Sequence, residues 1–397
     1  MRRTTHRGGY SAVGAALLLM LLLAIGCSIN SDNPAGFEFT GRDQSSVLTD
    51  TLTVTGADTS WSVPLQLDSS IRLFVGEFEE YASLALIRYS DLPADAEIVD
   101  AILIVRSNSI TTSGDSTEIT LQVSPVSSTW DSTWTGEDRA GLTLGSVVAQ
   151  RTLLGSEDPD TLGFRLPVDL VQGWVDDPAA AARGIAVSAE SPAPFMVNLY
   201  SSEVSGSSVL NQPRLVITYV PSGASGNKTS TLTAASDLSL MTCDASIAPG
   251  ELWIGRGVPF RTRLTFDVSH IPPHATINRA VLKMGVRSGL TLAPPVTVAA
   301  ALPLHDEPWT VLEGVVIDEF SLGIPTSVSG SDSSMSMLIT KTVASHIVRD
   351  EALMHLLLIT TYESLSVGRV RFWDSTALPE QRAAIELTYS LPPGGTP

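Results

Sequence analysis

Cysteine is nearly absent from this chain. Its 397 residues hold only Cys27 and Cys243, which allows at most one disulfide and leaves the fold to core burial. Cations are scarce too: 24 Lys and Arg stand against 42 Asp and Glu, a net charge of −18. Without Arg2, Arg3 and Arg7 the balance becomes −21. So acidic a body is repelled by phosphate backbones, which excludes nucleic acid as a partner. The sequence has no G-x-S-x-G elbow, no P-loop and no dinucleotide glycine pattern. Long apolar runs are missing except for one, "AVGAALLLMLLLAIG" at residues 12–26, shorter than the roughly 20 residues a spanning helix needs. What is present, 43% hydrophobic and 17% charged residues, is the composition of a globular protein of two or three domains.

The single apolar run follows a cationic start (Arg2, Arg3, Arg7) and reads as an export signal removed by cleavage. It ends in Ala24-Ile25-Gly26-Cys27, which resembles a bacterial lipobox, with Ala where Leu is commoner at the first position. The resemblance implies that the Cys27 thiol receives a diacylglyceryl group and becomes the mature N-terminus, anchored to the membrane by lipid. Ser28 follows in place of Asp, which in a two-membrane bacterium implies passage to the outer membrane or cell surface. The alternative is an ordinary secretory signal beside an incidental cysteine. Cys243, in "SLMTCDAS", reads as a small buried apolar residue of a strand.

The remainder is duplicated. "LFVG" (73–76) returns as "LWIG" (252–255), "SDLPADAEIVDAIL" (90–103) as "SHIPPHATINRAVL" (269–282), and Trp130 as Trp309, each at an offset of 179 residues. The offset then falls to 173 between "LYSS" (199–202) and "FWDS" (372–375), and to 170 between Ile217–Tyr219 and Leu387–Tyr389. A constant offset followed by drift is the trace of duplication and loop trimming. The organisation read from this is a signal peptide at 1–26, lipidated Cys27 with a polar tether at 27–36, and a first domain at 37–220. A Gly/Ser/Thr-rich linker at 221–233, a second domain at 234–391 and a frayed tail at 392–397 complete it.

Ile119, Leu121 and Val123 alternate with Thr120 and Gln122, and Ile385, Leu387 and Tyr389 alternate with Glu386 and Thr388. Period two with one apolar face predicts antiparallel strands packed on one side. "LPVDLVQGWVDDP" and "KTVASHIVRDEA" place apolar residues at helical spacing once per repeat. The fold class is therefore all-β: two tandem antiparallel β-sandwiches, each with one short helix on a connection, which the resemblance described next implies to be jelly-roll-like.

The ordered features, L-[FW]-[VI]-G, an apolar strand before a proline turn, I-x-x-A-x-L, a tryptophan segment, a short helix, [YW]-x-S and a final T-Y, resemble a known family. They resemble the bacterial and archaeal extracellular domains named for a D-N-R-L-R-E signature, relatives of a jelly-roll carbohydrate-binding module family. "EEYASLALIRY" (79–89) and "PFRTRLTFDV" (259–268) keep the apolar positions of the signature but not its full string. The resemblance covers nearly the whole mature chain in two copies and implies binding or scaffolding rather than chemistry. Such relatives occur on cell surfaces and as appendages of polysaccharide-degrading enzymes.

The residues agree with a non-catalytic reading. His270 and His274 are separated by two prolines, so they cannot share a helix face as zinc ligands do, and they read as exposed turn residues. "GEFEEY" (76–81) offers adjacent carboxylates of the type glycoside hydrolysis uses, yet the second copy has "GRGVPF" there, and a solvated acidic loop is the better reading. "WDSTW" sets Trp130 and Trp134 in a connection, where aromatic faces can stack on sugar rings. Trp130 has its counterpart in Trp309, a repeated position that reads first as a structural plug under a loop and second as a ligand contact, so Trp134 is the stronger ligand candidate. Glu157, Asp158 and Asp160 gather oxygens suited to structural calcium, with plain solvated turns as the alternative; no other cofactor is implied. Two functions follow: a surface lipoprotein binding polysaccharide, or a structural or adhesive module binding surface proteins with no sugar site. A more remote third is an accessory protein of a polysaccharide-degrading system. The Cys27→Ala variant is expected to lose all labelling by radioactive fatty acid; undiminished label contradicts the lipid assignment.

Overall fold

The structure is a computed structural model that describes residues 47–112, 117–155, 161–287, 295–304, 317–329 and 331–392. The candidate lipidation site Cys27, the calcium candidates Glu157, Asp158 and Asp160, and His305 and Trp309 lie outside the described residues.

Two antiparallel β-sandwiches form the body, as the period-two patterns predict. In the first, Lys228–Thr233, Arg214–Pro221, Ala96–Val105 and Leu162–Arg165 make the smaller sheet in that spatial order. The larger sheet runs Ser107–Thr112, Phe195–Tyr200, Arg72–Phe78, Tyr81–Arg88, Ile185–Glu190, Glu118–Pro125 and Ala149–Leu154. The inward residues of both sheets, among them Val75, Ile87, Leu103, Leu121 and Ile217, make one core. The second sandwich repeats the smaller sheet position by position, as Val47–Thr53, Ala384–Ser390, Thr276–Gly285 and Ser334–Leu338. Even its irregularity is repeated: Ile98 pairs with Tyr219 and Asp100 with Thr218, so Val99 bulges out of the ladder. Asn278 does the same between Ile277 and Arg279, 179 residues on.

Each unit also carries its helix, α1 at Val168–Asp176 and α2 at Thr340–Ile347. Val171 and Trp174 of α1, and Val343 and Ile347 of α2, are the buried apolar positions. The chain enters each helix through the same bond to the sheet: Leu166 N–H donates to Ala101 O and Ile339 N–H to Ala280 O, both at 2.9 Å.

The units are not cut where composition suggests. Residues 221–233 read as a linker, yet Lys228–Thr233 is a strand paired with Arg214–Pro221 of the first unit. Ser236–Cys243, assigned by sequence to the second domain, pairs along the whole of Tyr81–Arg88 in the first. Conversely, Val47–Thr53 and Thr59–Ser62, at the start of the first repeat, pair with Ala384–Ser390 and Phe260–Asp267 of the second. Each repeat therefore gives its opening strands to the other. Composition misplaces the boundary because Gly and Ser mark Ser222–Asn227 as a turn, while the Thr-rich residues after it suit an exposed edge strand equally well.

Side-chain chemistry fixes this exchange identically in both places. In each repeat the L-[FW]-[VI]-G strand peels away from its hairpin partner and leaves a backbone N–H and C=O to be satisfied. Phe74 N–H donates to Ser239 Oγ (2.8 Å) and Phe74 O accepts from Ser83 Oγ (2.8 Å). Trp253 N–H donates to Ser60 Oγ (2.9 Å) and Trp253 O accepts from Thr262 Oγ1 (2.8 Å). Ser239 and Ser60 sit on the exchanged segments, and all three correspondences hold the offset of 179. The motif glycine is required: at Gly76 (φ +130) a Cβ would lie 2.7 Å from Phe195 O.

Cleaving the folded protein at a protease site inserted in the exposed turn 222–227 tests the exchange. The two fragments are expected to stay together as one 1:1 particle in gel filtration and to part only on denaturation. Fragments that separate under native conditions contradict it.

Candidate functional site

The tryptophan connection, residues 126–142, folds over the outer face of the first unit's larger sheet. Trp130 is 5% exposed and packs with Leu84, Leu86, Leu238 and Leu240. Its Nε1–H donates to Arg183 O (2.7 Å), and the Arg88 guanidinium stacks on its ring at 4.6 Å. Trp130 is thus a packing residue, and its burial removes it from the ligand candidates. Trp134 is half-buried against the same cluster. The connection is pressed onto the exchanged strand at Gly136, where a Cβ would meet Met241 O at 1.7 Å, so only glycine fits. Thr133, beside Trp134, accepts a hydrogen bond from Gln66 Nε2 (3.1 Å). That bond ties the connection to the segment, residues 63–71, that crosses between the units.

A groove of about 520 Å³ opens where this crossing segment meets the second unit. Leu65, Gln66 and Ser69 form one wall, residues 360–365 the other, and Arg261 and Ile359 of the outer sheet face lie between. Arg261 makes a two-point ion pair with Glu363, Nε to Oε1 at 3.0 Å and Nη2 to Oε2 at 2.9 Å. Tyr362 is 54% exposed. The walls are anchored: Ser70 Oγ donates to Ser364 O (2.8 Å) and Gly257 N–H to Glu363 O (2.7 Å). Planar polar groups, an exposed aromatic ring and an apolar floor in one preformed groove are the equipment of a site for a hydroxyl-rich ligand. None of Tyr362, Arg261, Glu363 or Gln66 stands out in the sequence. The one signal is an aromatic residue inside "TTYESLS", a stretch that otherwise reads as a polar turn.

The acidic hairpin "GEFEEY" keeps Glu77 and Glu80 exposed, as a solvated loop does, and also carries an ion pair to the second unit. Glu80 pairs with Arg369 of the second unit (2.5 Å), and the Arg369 guanidinium lies 4.7 Å from the Trp253 ring and 5.6 Å from that of Tyr81. Burial pushes the Glu79 carboxyl above its ordinary value. Beyond Trp253, buried Glu251 accepts from its indole N–H (2.6 Å) and from Arg287 (2.7 Å). This ladder joins the units beside the apolar cluster of Leu67, Phe74, Phe78, Tyr81, Met241 and Val367. Cys243 borders it, and burial raises its thiol, the reverse of an activated nucleophile.

The histidines serve separate local contacts. His270 Nε2 meets Asp50 Oδ2 of the exchanged strand at 2.5 Å, His274 is exposed, and buried His346 donates from Nε2 to Glu351 O (3.2 Å). Asp176 and Asp177, in the acid-rich "VDDP", accept from Gln172 Nε2 (2.8 Å) and Ala179 N–H (3.0 Å). Among the described residues no group of three or more His, Cys, Asp or Glu is arranged to hold a metal, and no helix is long and apolar enough to cross a membrane.

No protein-family model matches the chain, and no curated protein matches it. Among solved structures it is similar to that of the Macrobrachium rosenbergii nodavirus, at 8% identity over 98% of this chain and 95% of that one, with a TM-score of 0.14. A second is the infectious bursal disease virus Gx strain, at 11% identity over 88% and 78%, with a TM-score of 0.13.

The capping aspartates of the exchanged strands are a matched pair with unequal environments. Asp58 accepts from Ser375 N–H (2.8 Å) and Oγ (2.5 Å). Asp237, 2% exposed, accepts from Ser202 N–H (2.7 Å) at Oδ2, while its Oδ1 has no partner. Burial pushes the Asp237 carboxyl up to about 7, against the lowering effect of the Ser202 bonds. An acid raised in the folded state favours folding below its unfolded value and loses that contribution as pH climbs to the folded value. A displacement from 3.8 to about 7 corresponds to roughly 4 kcal/mol. Asp237→Asn is therefore expected to raise the melting temperature relative to wild type at about pH 8 and to lose that advantage near pH 4; a pH-independent difference contradicts it.

Proposed function

We propose that this chain is an exported lipoprotein, held at the envelope through Cys27, whose fused sandwiches bind polysaccharide without catalysis. The junction groove carries the reading: an exposed tyrosine ring, a planar Arg–Glu pair and a fixed glutamine converge there. Sugars present apolar ring faces and hydroxyl edges, and these groups meet both needs. The lipobox-like start and the ordered resemblance to extracellular carbohydrate-binding-module relatives support the same reading, with outer-membrane placement where two membranes exist. Trp134 belongs to the site indirectly, by setting Thr133 against Gln66.

The mature chain carrying Cys27→Ala, free of lipid, is expected to bind at least one polysaccharide on a glycan array, with retention confirmed in affinity gels. No glycan binding, together with a specific protein neighbour cross-linked on intact cells, favours the structural or adhesive module.

A further inference from the structure

We infer that the ligand of the junction groove is a neutral pyranose polymer, seated with a ring on Tyr362 and its hydroxyls on the Arg261–Glu363 pair. The inference rests on the polysaccharide-binding reading and narrows it.

Charge is the first argument. The chain carries a net charge of −18, but among the described residues the groove lining contains only two charged side chains, Arg261 and Glu363, and they neutralise each other at 2.9 and 3.0 Å. A uronate or sulfate entering the groove would find no uncommitted cation, a carboxylate beside it and the field of an acidic body around it. A neutral sugar meets none of these costs.

Hydrogen-bond chemistry is the second. A hydroxyl donates once and accepts twice. The guanidinium spends its Nε and Nη2 edge on Glu363 and keeps further N–H groups; the carboxylate keeps lone pairs. The pair thus offers a donor and an acceptor side by side, which suits two adjacent ring hydroxyls. Holding the ion pair in place also means that no side-chain freedom is lost on binding. Gln66 adds an amide whose Nε2 is already fixed by Thr133 O.

Shape is the third. Tyr362 supplies an exposed aromatic face, and Ile359 with Leu65 gives the groove an apolar floor and flank. Its volume of about 520 Å³ falls within the roughly 300–1,000 Å³ of ligand clefts. Both walls are tied to the crossing segment and the second unit, so the groove exists before the ligand arrives.

The test is affinity gel electrophoresis of the mature Cys27→Ala chain through soluble glucan, mannan and xylan, beside polygalacturonate and a sulfated galactan. Retardation by a neutral polymer, insensitive to added salt, is expected. Tyr362→Ala should weaken it about tenfold, the loss of one stacking contact worth about 1.4 kcal/mol. Tyr362→Phe should retain it. Removing Arg261 and Glu363 together as alanines, so that neither charge is orphaned, should weaken it comparably while circular dichroism reports an intact fold. Retardation by the anionic polymers alone, or neutral binding that ignores all three groove variants, overturns the inference and leaves polysaccharide binding standing. Retardation by none of the polymers, with a blank glycan array, removes the broader reading itself.

Discussion

Everything in this molecule depends on the strands that each repeat gives away. Val47–Ser62 finishes the second sandwich and Lys228–Cys243 finishes the first, so neither repeat can satisfy its own backbone. The serine hydroxyls that accept from Phe74 and Trp253 make the constraint chemical as well as topological. Without Ser239 or Ser60 a peeled strand would keep a backbone N–H without a protein partner, at a cost of about 1–3 kcal/mol if that group is buried. The exchanged strands bring apolar surface with the hydrogen bonds: Leu52 lies 3% exposed in the core of the second unit, and Leu238 and Leu240 lie beneath Trp130.

The junction follows from that exchange. Because the chain must cross between units twice, the segments 63–71 and 244–250 lie along their boundary, and the hairpins of the two repeats are brought face to face. The duplicated hairpins have diverged: one keeps "GEFEEY", the other "GRGVPF", and Glu80 of the first meets Arg369 on the second unit's strand Gly368–Trp373. The same crossing builds the groove, since one of its walls is the segment running from the donated strand back to its own unit. A groove made this way exists only in the closed body.

How much of this the sequence revealed depends on what kind of information each feature needs. Alternation at Ile119–Val123 or Ile385–Tyr389 is local, and it correctly gave strands with one buried face. The duplication was legible because offsets survive where residues change, and the bulges at Val99 and Asn278 confirm the register. Strand exchange was not legible. Period two states which face of Val47–Thr53 is apolar but not which sheet receives it, and a Thr-rich edge strand such as Lys228–Thr233 looks like a linker. At the site, the repeated position of Trp130 correctly left a structural plug open as its role. Tyr362 was missed because its significance lies in the neighbours Arg261 and Gln66, which stand about 100 and 300 residues away in the chain. The ion pair at "GEFEEY" is not legible for a related reason: the cationic partner of Glu80, Arg369, belongs to the other repeat.

If each repeat truly completes the other, the two sandwiches cannot melt independently. Differential scanning calorimetry of the intact chain is the most direct measurement. A single transition whose calorimetric and van't Hoff enthalpies agree is predicted. Two resolved transitions, each with the enthalpy of one sandwich, would contradict reciprocal closure.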